Sequence, residues 1–448
     1  MTDWARNAVF YHIYPLGFCG APAHNRAEEA PRERLGQIED WIGQMRGLGA
    51  DALYLGPLFE SSSHGYDTSD YFRVDRRLGS NADLARLTTA LHGQGMRVVL
   101  DGVFHHVGRD FWAFRDVQAR GRDSAYCDWF AGLRFDGRSP YGDPFAYDGW
   151  NGHYNLVKLN LGNPAVRQHL FDAVSFWVAE FAIDGLRLDA ADCLDHGFLA
   201  ELSQVCRRLR PDFWLLGEVI HGDYRHWAGP DRLDSVTNYE CYKGLHSSHN
   251  ERNYFEIAYS LNRQFGPDGI YRDLPLYAFA DNHDVDRVAS VLRDPAQLYP
   301  LHCLLFAMPG VPSIYYGSEW GVAGRKAGGD DGPLRPAREH LRPDHPDLAR
   351  AIARLAGIRR SSAALRLGAY RQLHVNHDQL AFERRIGDEQ VIVAVNGAES
   401  AASLELEIPA QAGRQLIDLL NDDAPIIAAA GRTRIAVPGR WARILAVR

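Results

Sequence analysis

Between Val9 and Arg359 the chain repeats one local pattern eight times: a short apolar run rich in β-branched or aromatic residues, then a stretch of helical character. Val9 to Tyr14 opens the series and ends at Pro15. A helical spacing follows through Leu35, Ile38, Trp41, Ile42, Met45 and Leu48, closed by Gly49. Ala52–Leu55 is the second strand. A helix over 81–95 follows, with Asn81 as its cap and Gly95 as its stop. Met96–Asp101 is the third strand. After an interruption the rhythm resumes with a helix from Pro164 to Phe181, a strand at Gly185–Asp189, a helix at about 197–210, and strands at Phe213–Glu218 and Ser235–Thr237. A helix over Tyr254–Phe265, a strand at Leu276–Ala280, a helix over Gln297–Ala307, a strand at Val311–Tyr316 and a helix over Pro346–Arg359 complete it. The economical fold for this α/β series is a closed parallel (β/α)8 barrel; the alternative is an open, doubly wound sheet.

Two segments break the rhythm. Residues 104–160 hold clustered Gly, Asp, Pro and aromatics with no period, and read as an insertion subdomain after strand three. Residues 361–448 alternate or run β-branched between turn signals, and read as a small all-β sandwich. The barrel then comprises residues 1–103 and 161–360. The Gly-rich run from Gly321 to Gly332 lacks the Gly-Lys-Ser/Thr ending of a phosphate loop and reads as the loop after strand eight.

Charge and cysteine usage narrow the functional classes. A net charge of −8 argues against a nucleic-acid partner, which needs a basic face. The longest apolar stretch, Leu298–Tyr316, is broken by three prolines, so no membrane span is expected. No secretory leader is recognised at Met1–Arg6. The six cysteines form no C-x-x-C pair and read as reduced thiols, which suggests a cytoplasmic protein.

The ends of the apolar runs carry the chemistry. Asp101, His105 and His106 follow strand three, Arg187 and Asp189 close strand four, Glu218 closes strand five, and Asn282-His283-Asp284 follows strand seven. In a barrel these lie on one rim. Three carboxylates and several histidines converging there need a reason, because buried unpaired charge is expensive. Glycoside cleavage wants this set: one carboxylate attacks the anomeric carbon and a second, kept protonated, protonates the leaving oxygen. Retaining geometry needs carboxyls about 5–5.5 Å apart, and neighbouring strands lie about 4.8 Å apart. Asp189 and Glu218, on adjacent strands, fit. Arg187 is two residues from Asp189 and so shares its face, which predicts an ionised Asp189. Glu218 is expected to have a raised pKa. A zinc hydrolase using His105, His106 and His283 is the competing reading, but their spacing matches no compact zinc motif.

These residues resemble the α-amylase family, glycoside hydrolase family 13. Asp101-Gly-Val-Phe-His-His106, Gly185-Leu-Arg-Leu-Asp189, Gly217-Glu218-Val219 and Phe279-Ala-Asp-Asn-His-Asp284 are similar to its four motifs, in order. The resemblance implies Asp189 as nucleophile, Glu218 as general acid/base and Asp284 as the carboxylate that holds sugar hydroxyls. It implies that Asp101, Arg187, His106 and His283 act at the same subsite, with Tyr66 as a stacking platform and Asp67 beside it. His221, after the third motif, is a further substrate-binding candidate; Asp331 and Arg335, in the last barrel loop, are candidates for an outer subsite. Leu156-Val-Lys-Leu-Asn160 resembles a fifth motif of the neopullulanase and cyclomaltodextrinase branch, with Lys158 a further candidate.

Three features depart from that branch. Strand one begins by residue 9, where the branch carries an extra N-terminal β-domain. Ile220 stands where the branch usually has tryptophan. His105 stands where the first motif normally has the asparagine that helps to hold a structural calcium. Imidazole is a poor ligand for that hard cation, so calcium is expected to be absent and no cofactor is expected. The expected partner is an oligosaccharide; the oligomeric state stays open, a homodimer among the options. The expected activity is retaining hydrolysis of maltooligosaccharides or cyclic and branched short α-glucans. A transglycosylase of the same fold and an inactive binding protein are the alternatives.

Overall fold

The computed structural model describes residues 3–26, 28–408 and 412–448; the first two residues of the segment read for a leader lie outside them. Eight parallel strands form the central sheet: β1 (Phe10–Ile13), β2 (Ala52–Leu55), β3 (Arg97–Gly102), β4 (Gly185–Leu188), β5 (Trp214–Gly217), β6 (Ser235–Val236), β7 (Tyr277–Phe279) and β8 (Val311–Tyr315). Their spatial order is β6-β5-β4-β3-β2-β1-β8-β7. The ring closes just past β6, where Thr237 pairs in parallel with Tyr277 and the Asn238 amide donates to the Tyr277 carbonyl at 2.8 Å. The sheet is therefore a barrel, not an open doubly wound sheet. Almost every strand residue is buried, because helices cover the outside and aromatics such as Phe10, Tyr54, Trp214 and Tyr277 fill the inside.

Local chemistry explains where the expected elements shift. The second helix runs Asn81–Gly93 and is capped by Ser80, not Asn81. Ser80 and Asp83 form a reciprocal capping box, whereas the Asn81 side chain accepts from the Val74 amide at 2.8 Å. The single helix expected over 32–48 is two short pieces, Gly36–Glu39 and Ile42–Gly47. Three glycines in that stretch lower its helix propensity. A helix not expected from the sequence, Tyr239–Asn250, follows β6; Asn238 caps it by accepting from the Cys241 amide. It packs against the helix Phe255–Phe265.

In the insertion, His106–Gly108 pairs antiparallel with His153–Lys158, which places Lys158 opposite His106. Most of its aromatics pack inward: Phe111, Phe114, Phe130, Phe145 and Tyr147 are buried. Trp112, Tyr141 and Tyr154 are exposed.

The C-terminal region contains β9 (Ala369–Val375), β10 (Gln379–Ile386), β11 (Glu389–Asn396), β12 (Ala402–Glu407), β13 (Gln415–Asp418), β14 (Ile426–Ile427), β15 (Arg432–Val437) and β16 (Trp441–Val447). The sheet β9-β10-β11-β16-β13-β14 faces the antiparallel pair β12-β15 across a core of Ala381, Ile392, Leu404, Leu406, Ile435 and Leu445. Its other face, through Leu380, Phe382, Val391 and Val393, joins the barrel core. Two buried arginines brace that junction. Arg359 and Arg384 donate to carbonyls at the end of the helix Leu298–Ala307, which has no further turn to satisfy them.

Candidate active site

Strand register fixes the site. β3 and β4 set Asp101 beside Arg187, and β4 and β5 set Leu188 beside Gly217. The next residues outward, Asp189 and Glu218, are therefore neighbours on the rim. Ala190, the residue after Asp189, adopts a left-handed conformation (φ 44°), uncommon for a residue with a Cβ. This turn aims the Ala190 amide at Glu218 Oε2, to which it donates at 3.1 Å.

One guanidinium serves three carboxylates. Arg187 Nη1 donates to Asp101 Oδ1 at 2.9 Å and to Asp189 Oδ1 at 3.0 Å, and its Nη2 lies 2.8 Å from Glu218 Oε1. Asp101 also accepts from the hydroxyls of Tyr54 (2.9 Å) and Tyr66 (3.3 Å). Among the described residues, the ionisable partner nearest Asp189 Oδ2 is His106 Nε2, at 3.9 Å, beyond hydrogen-bond reach. Glu218 Oε1 also lies 3.5 Å from the Tyr239 hydroxyl, which accepts from Asn282 at 3.2 Å.

Asp284 is held differently. His283 Nε2 lies 3.0 Å from Asp284 Oδ2, and Arg335 donates to Asp284 Oδ1 at 3.1 Å, to Asp331 at 3.0 Å and to the His283 carbonyl at 3.0 Å. The Arg335 guanidinium sits over the Tyr14 ring, 4.4 Å from its centroid. Tyr66 stacks on His283 and its hydroxyl contacts His283 Nε2.

These surroundings separate the acidities. Burial pushes the Asp284 carboxyl up, but His283, Arg335 and Arg187 outweigh it and hold the group well below the ordinary carboxylate range. Burial raises Glu218 above that range, and the nearby Asp284 charge adds to it against Arg187 and the Ala190 amide. For Asp189, burial and the charges of Glu218, Asp101 and Asp284 work against the Arg187 charge that favours its ionised form. Burial pushes Asp189 well up, and Arg187, shared with Asp101 and Glu218, does not offset that. Asp189 and Glu218 therefore act as a pair with heightened affinity for protons. His106 does not compensate: burial pushes its imidazole down to about 3, leaving it neutral at pH 7.

The remaining sequence candidates divide by location. Asp67 is buried beside this cluster, accepting from the Ser63 hydroxyl at 2.7 Å. Lys158 is half-buried in the insertion, close enough for its charge to act on His105. His221 is exposed and lines a cleft of about 880 Å³ on the Glu218 side of the rim. Four further residues lie at the site. Tyr54 anchors Asp101, Tyr239 touches Glu218, and Tyr14 supports Arg335. Trp150 of the insertion sits with its ring 5.8 Å from that of His106. Tyr239 follows strand six closely, the position that could have flagged it.

His105 is buried, its Nδ1 3.3 Å from His106 Nδ1, and burial with the Lys158 charge pushes it down to about 4. Two imidazoles beside a lysine do not suit a calcium ion, which takes oxygen ligands. Among the described residues, no group of three or more His, Cys, Asp or Glu is placed to hold a metal.

A family profile described as the α-amylase catalytic domain matches residues 34–353. The chain belongs to the α-amylase family of glycoside hydrolases. A second profile, the C-terminal domain of maltogenic amylase, matches residues 370–444. Neopullulanase 2 of Thermoactinomyces vulgaris is 32% identical over 450 residues, covering 94% of this chain and 74% of that protein. A cyclomaltodextrinase of Geobacillus thermopakistaniensis is 30% identical over 458 residues, with the same coverages. Among solved structures, the cyclic α-maltosyl-(1→6)-maltose hydrolase of Arthrobacter globiformis superimposes with a TM-score of 0.83 at 28% identity, covering all of both chains. The debranching enzyme of Nostoc punctiforme gives 0.82 at 28% identity over 99% of each. No helix among the described residues is long and apolar enough to cross a membrane.

Proposed function

We propose that this α-amylase-family hydrolase cleaves α-glucosidic bonds in cyclic, branched or short maltooligosaccharides, with retention at the anomeric carbon. The observation that carries the mechanism is the single Arg187 guanidinium shared by Asp189 and Glu218 at 3.0 and 2.8 Å. Asp189 Oδ2, free of hydrogen bonds to other described residues, attacks the anomeric carbon. Glu218 gives its proton to the departing oxygen, the C–O bond breaks, and an ester to Asp189 forms. Water then enters; Glu218 takes its proton while the hydroxyl oxygen displaces Asp189, which leaves as carboxylate. Two inversions return the α-anomer. Asp284, held anionic by His283 and Arg335, accepts from sugar hydroxyls, and Tyr66 with His283 offers a ring face. Tyr54, Asp101 and Arg187 keep the floor of the site in place. The donor set at His105 supports a protein that needs no calcium. Six free cysteines support a reducing compartment such as the cytoplasm.

The substrate class rests on the likeness to hydrolases of cyclic and branched short glucans. A panel of maltotriose, a cyclodextrin, pullulan, a branched cyclic tetrasaccharide and starch tests it, with Asp189→Asn as the blank. Rapid cutting of cyclic or short substrates with starch nearly untouched is expected; preference for starch contradicts it. Proton NMR of the first product is expected to show the α-anomer, and a β-anomer overturns the retaining mechanism.

A further inference from the structure

The cleft on the Glu218 side of the rim extends beyond the strand ends. Its volume is about 880 Å³. One wall is the loop Ile220–Gly222 after β5, and the other walls are the paired helices Tyr239–Asn250 and Phe255–Phe265. Phe255 and Tyr259 are one turn apart on the same helix face. They are 44% and 69% exposed, unusually open for such large apolar side chains. Arg263, a further turn along, also lines the cleft and pairs with Glu240. Glu240 adjoins Tyr239, whose hydroxyl reaches Glu218. The aromatic stripe therefore leads toward the group that protonates the leaving oxygen.

The charges in the cleft cancel. Arg263 pairs with Glu240, and Lys243 pairs with Glu256. A neutral cleft with flat ring faces and polar edges does not suit a polyanion. It suits an uncharged polyol chain, which offers apolar ring faces to stack and hydroxyls to bond. A second copy of this chain is disfavoured by the same feature, since two ion pairs and Asn253 and Ser260 would have to be desolvated around a narrow apolar stripe.

We propose that Phe255 and Tyr259 form a stacking track for the leaving-group side of a longer α-glucan, remote from the bond being cut. This rests on the reading of Glu218 as the acid. The track is expected to favour long or branched chains on that side. By holding the far end of an acceptor chain on that side, it also raises transfer relative to hydrolysis.

The test separates the track from the chemistry. Binding of maltoheptaose to the Asp189→Asn protein is measured by calorimetry, with and without Tyr259→Ala and Phe255→Ala. Affinity is expected to fall about tenfold in the double variant, about 1.4 kcal/mol. In the active enzyme, the same two changes are expected to lower kcat/KM about tenfold for maltoheptaose and less than twofold for p-nitrophenyl α-maltoside, while the transfer-to-hydrolysis ratio on maltotriose drops. Unchanged maltoheptaose affinity, or equal losses on both substrates, overturns the track. A switch from dimer to monomer on mutation, with affinity unchanged, also overturns it and assigns the stripe to self-association. If the wild type cleaves no α-glucan, the functional reading fails, and the calorimetry still decides the track.

Discussion

Two aspartates flank the same four-residue strand and live opposite lives. Asp184 immediately precedes β4, at the foot of the barrel; Asp189 immediately follows it, at the rim. At the foot, one carboxylate meets two guanidiniums and an imidazole: Arg97 at 2.6 Å, Arg210 at 2.8 Å and His92 at 2.8 Å, with the Val98 amide donating as well. Burial raises that acid, but these partners outweigh it and leave its pKa lowered. At the rim the ratio inverts: one guanidinium meets three carboxylates, and the Asp189 pKa is driven up. The foot is balanced for cohesion. The rim is left short of positive charge, so a proton stays within reach of the reacting bond.

Substitutions at the two ends sharpen this contrast. Asp189→Asn is expected to lower kcat by about 10⁴-fold or more, since the nucleophile is gone. Its Tm should stay level or rise, because a crowded carboxylate has been neutralised; a large drop in Tm would mean that the rim is structural. Glu218→Gln is expected to cost about 10²–10⁴-fold, and less on a substrate whose leaving group needs no proton. Equal losses on both substrates would remove Glu218 from the acid role. Asp184→Asn is expected to leave kcat/KM within a few-fold but to cost about 3–5 kcal/mol of stability, because two guanidiniums lose their shared buried partner. Chemical denaturation checks this.

Acid and base should separate the same two ends. Glu218 must carry a proton to act, and its pKa is raised, so kcat/KM should fall as pH rises through a value above the ordinary Glu range near 4.3. Asp184 has a depressed folded pKa, so its contribution to stability is present above the unfolded value of about 3.9 and is lost as pH falls toward the folded one. The acid-induced fall in Tm should therefore be shallower in Asp184→Asn than in wild type. The smallest expected effect is that of calcium: on the proposal that the protein needs none, neither chelator nor added calcium should shift Tm, since His105 offers an imidazole where that cation takes oxygen ligands. A rise of several degrees with calcium would contradict that.

The barrel was legible because the apolar runs were short and most were followed by helical spacing, while the third, fourth, fifth and seventh ended in or soon met a carboxylate. That same pattern exposed Asp101, Asp189, Glu218 and Asp284. What escaped was set by tertiary approach. Tyr54 lies inside an apolar run and looks like core, yet its hydroxyl anchors Asp101. Tyr239 opens a helix whose Gly, Ser and His content hides it, and only the closed ring brings it to Glu218. The sharing of Arg187 could not be read from the Arg-x-Asp spacing, which suggests a private pair; register with Asp101 and proximity to Glu218 make it a shared one. Pro164–Phe181, by contrast, was readable to the residue from Pro164, which suits a first turn; the structure adds the Asn163 cap, which accepts from the Ala165 amide.

The central claim is that Asp189 bonds covalently to the sugar while Glu218 manages the proton. The most direct test is to incubate the wild-type enzyme with a fluorinated α-glucosyl fluoride that forms the ester quickly and loses it slowly, then to map the label by peptide mass spectrometry. The account predicts one sugar per chain, on Asp189, and none on Asp189→Asn. A label on another residue, or full turnover of the reagent with no covalent adduct, would contradict it.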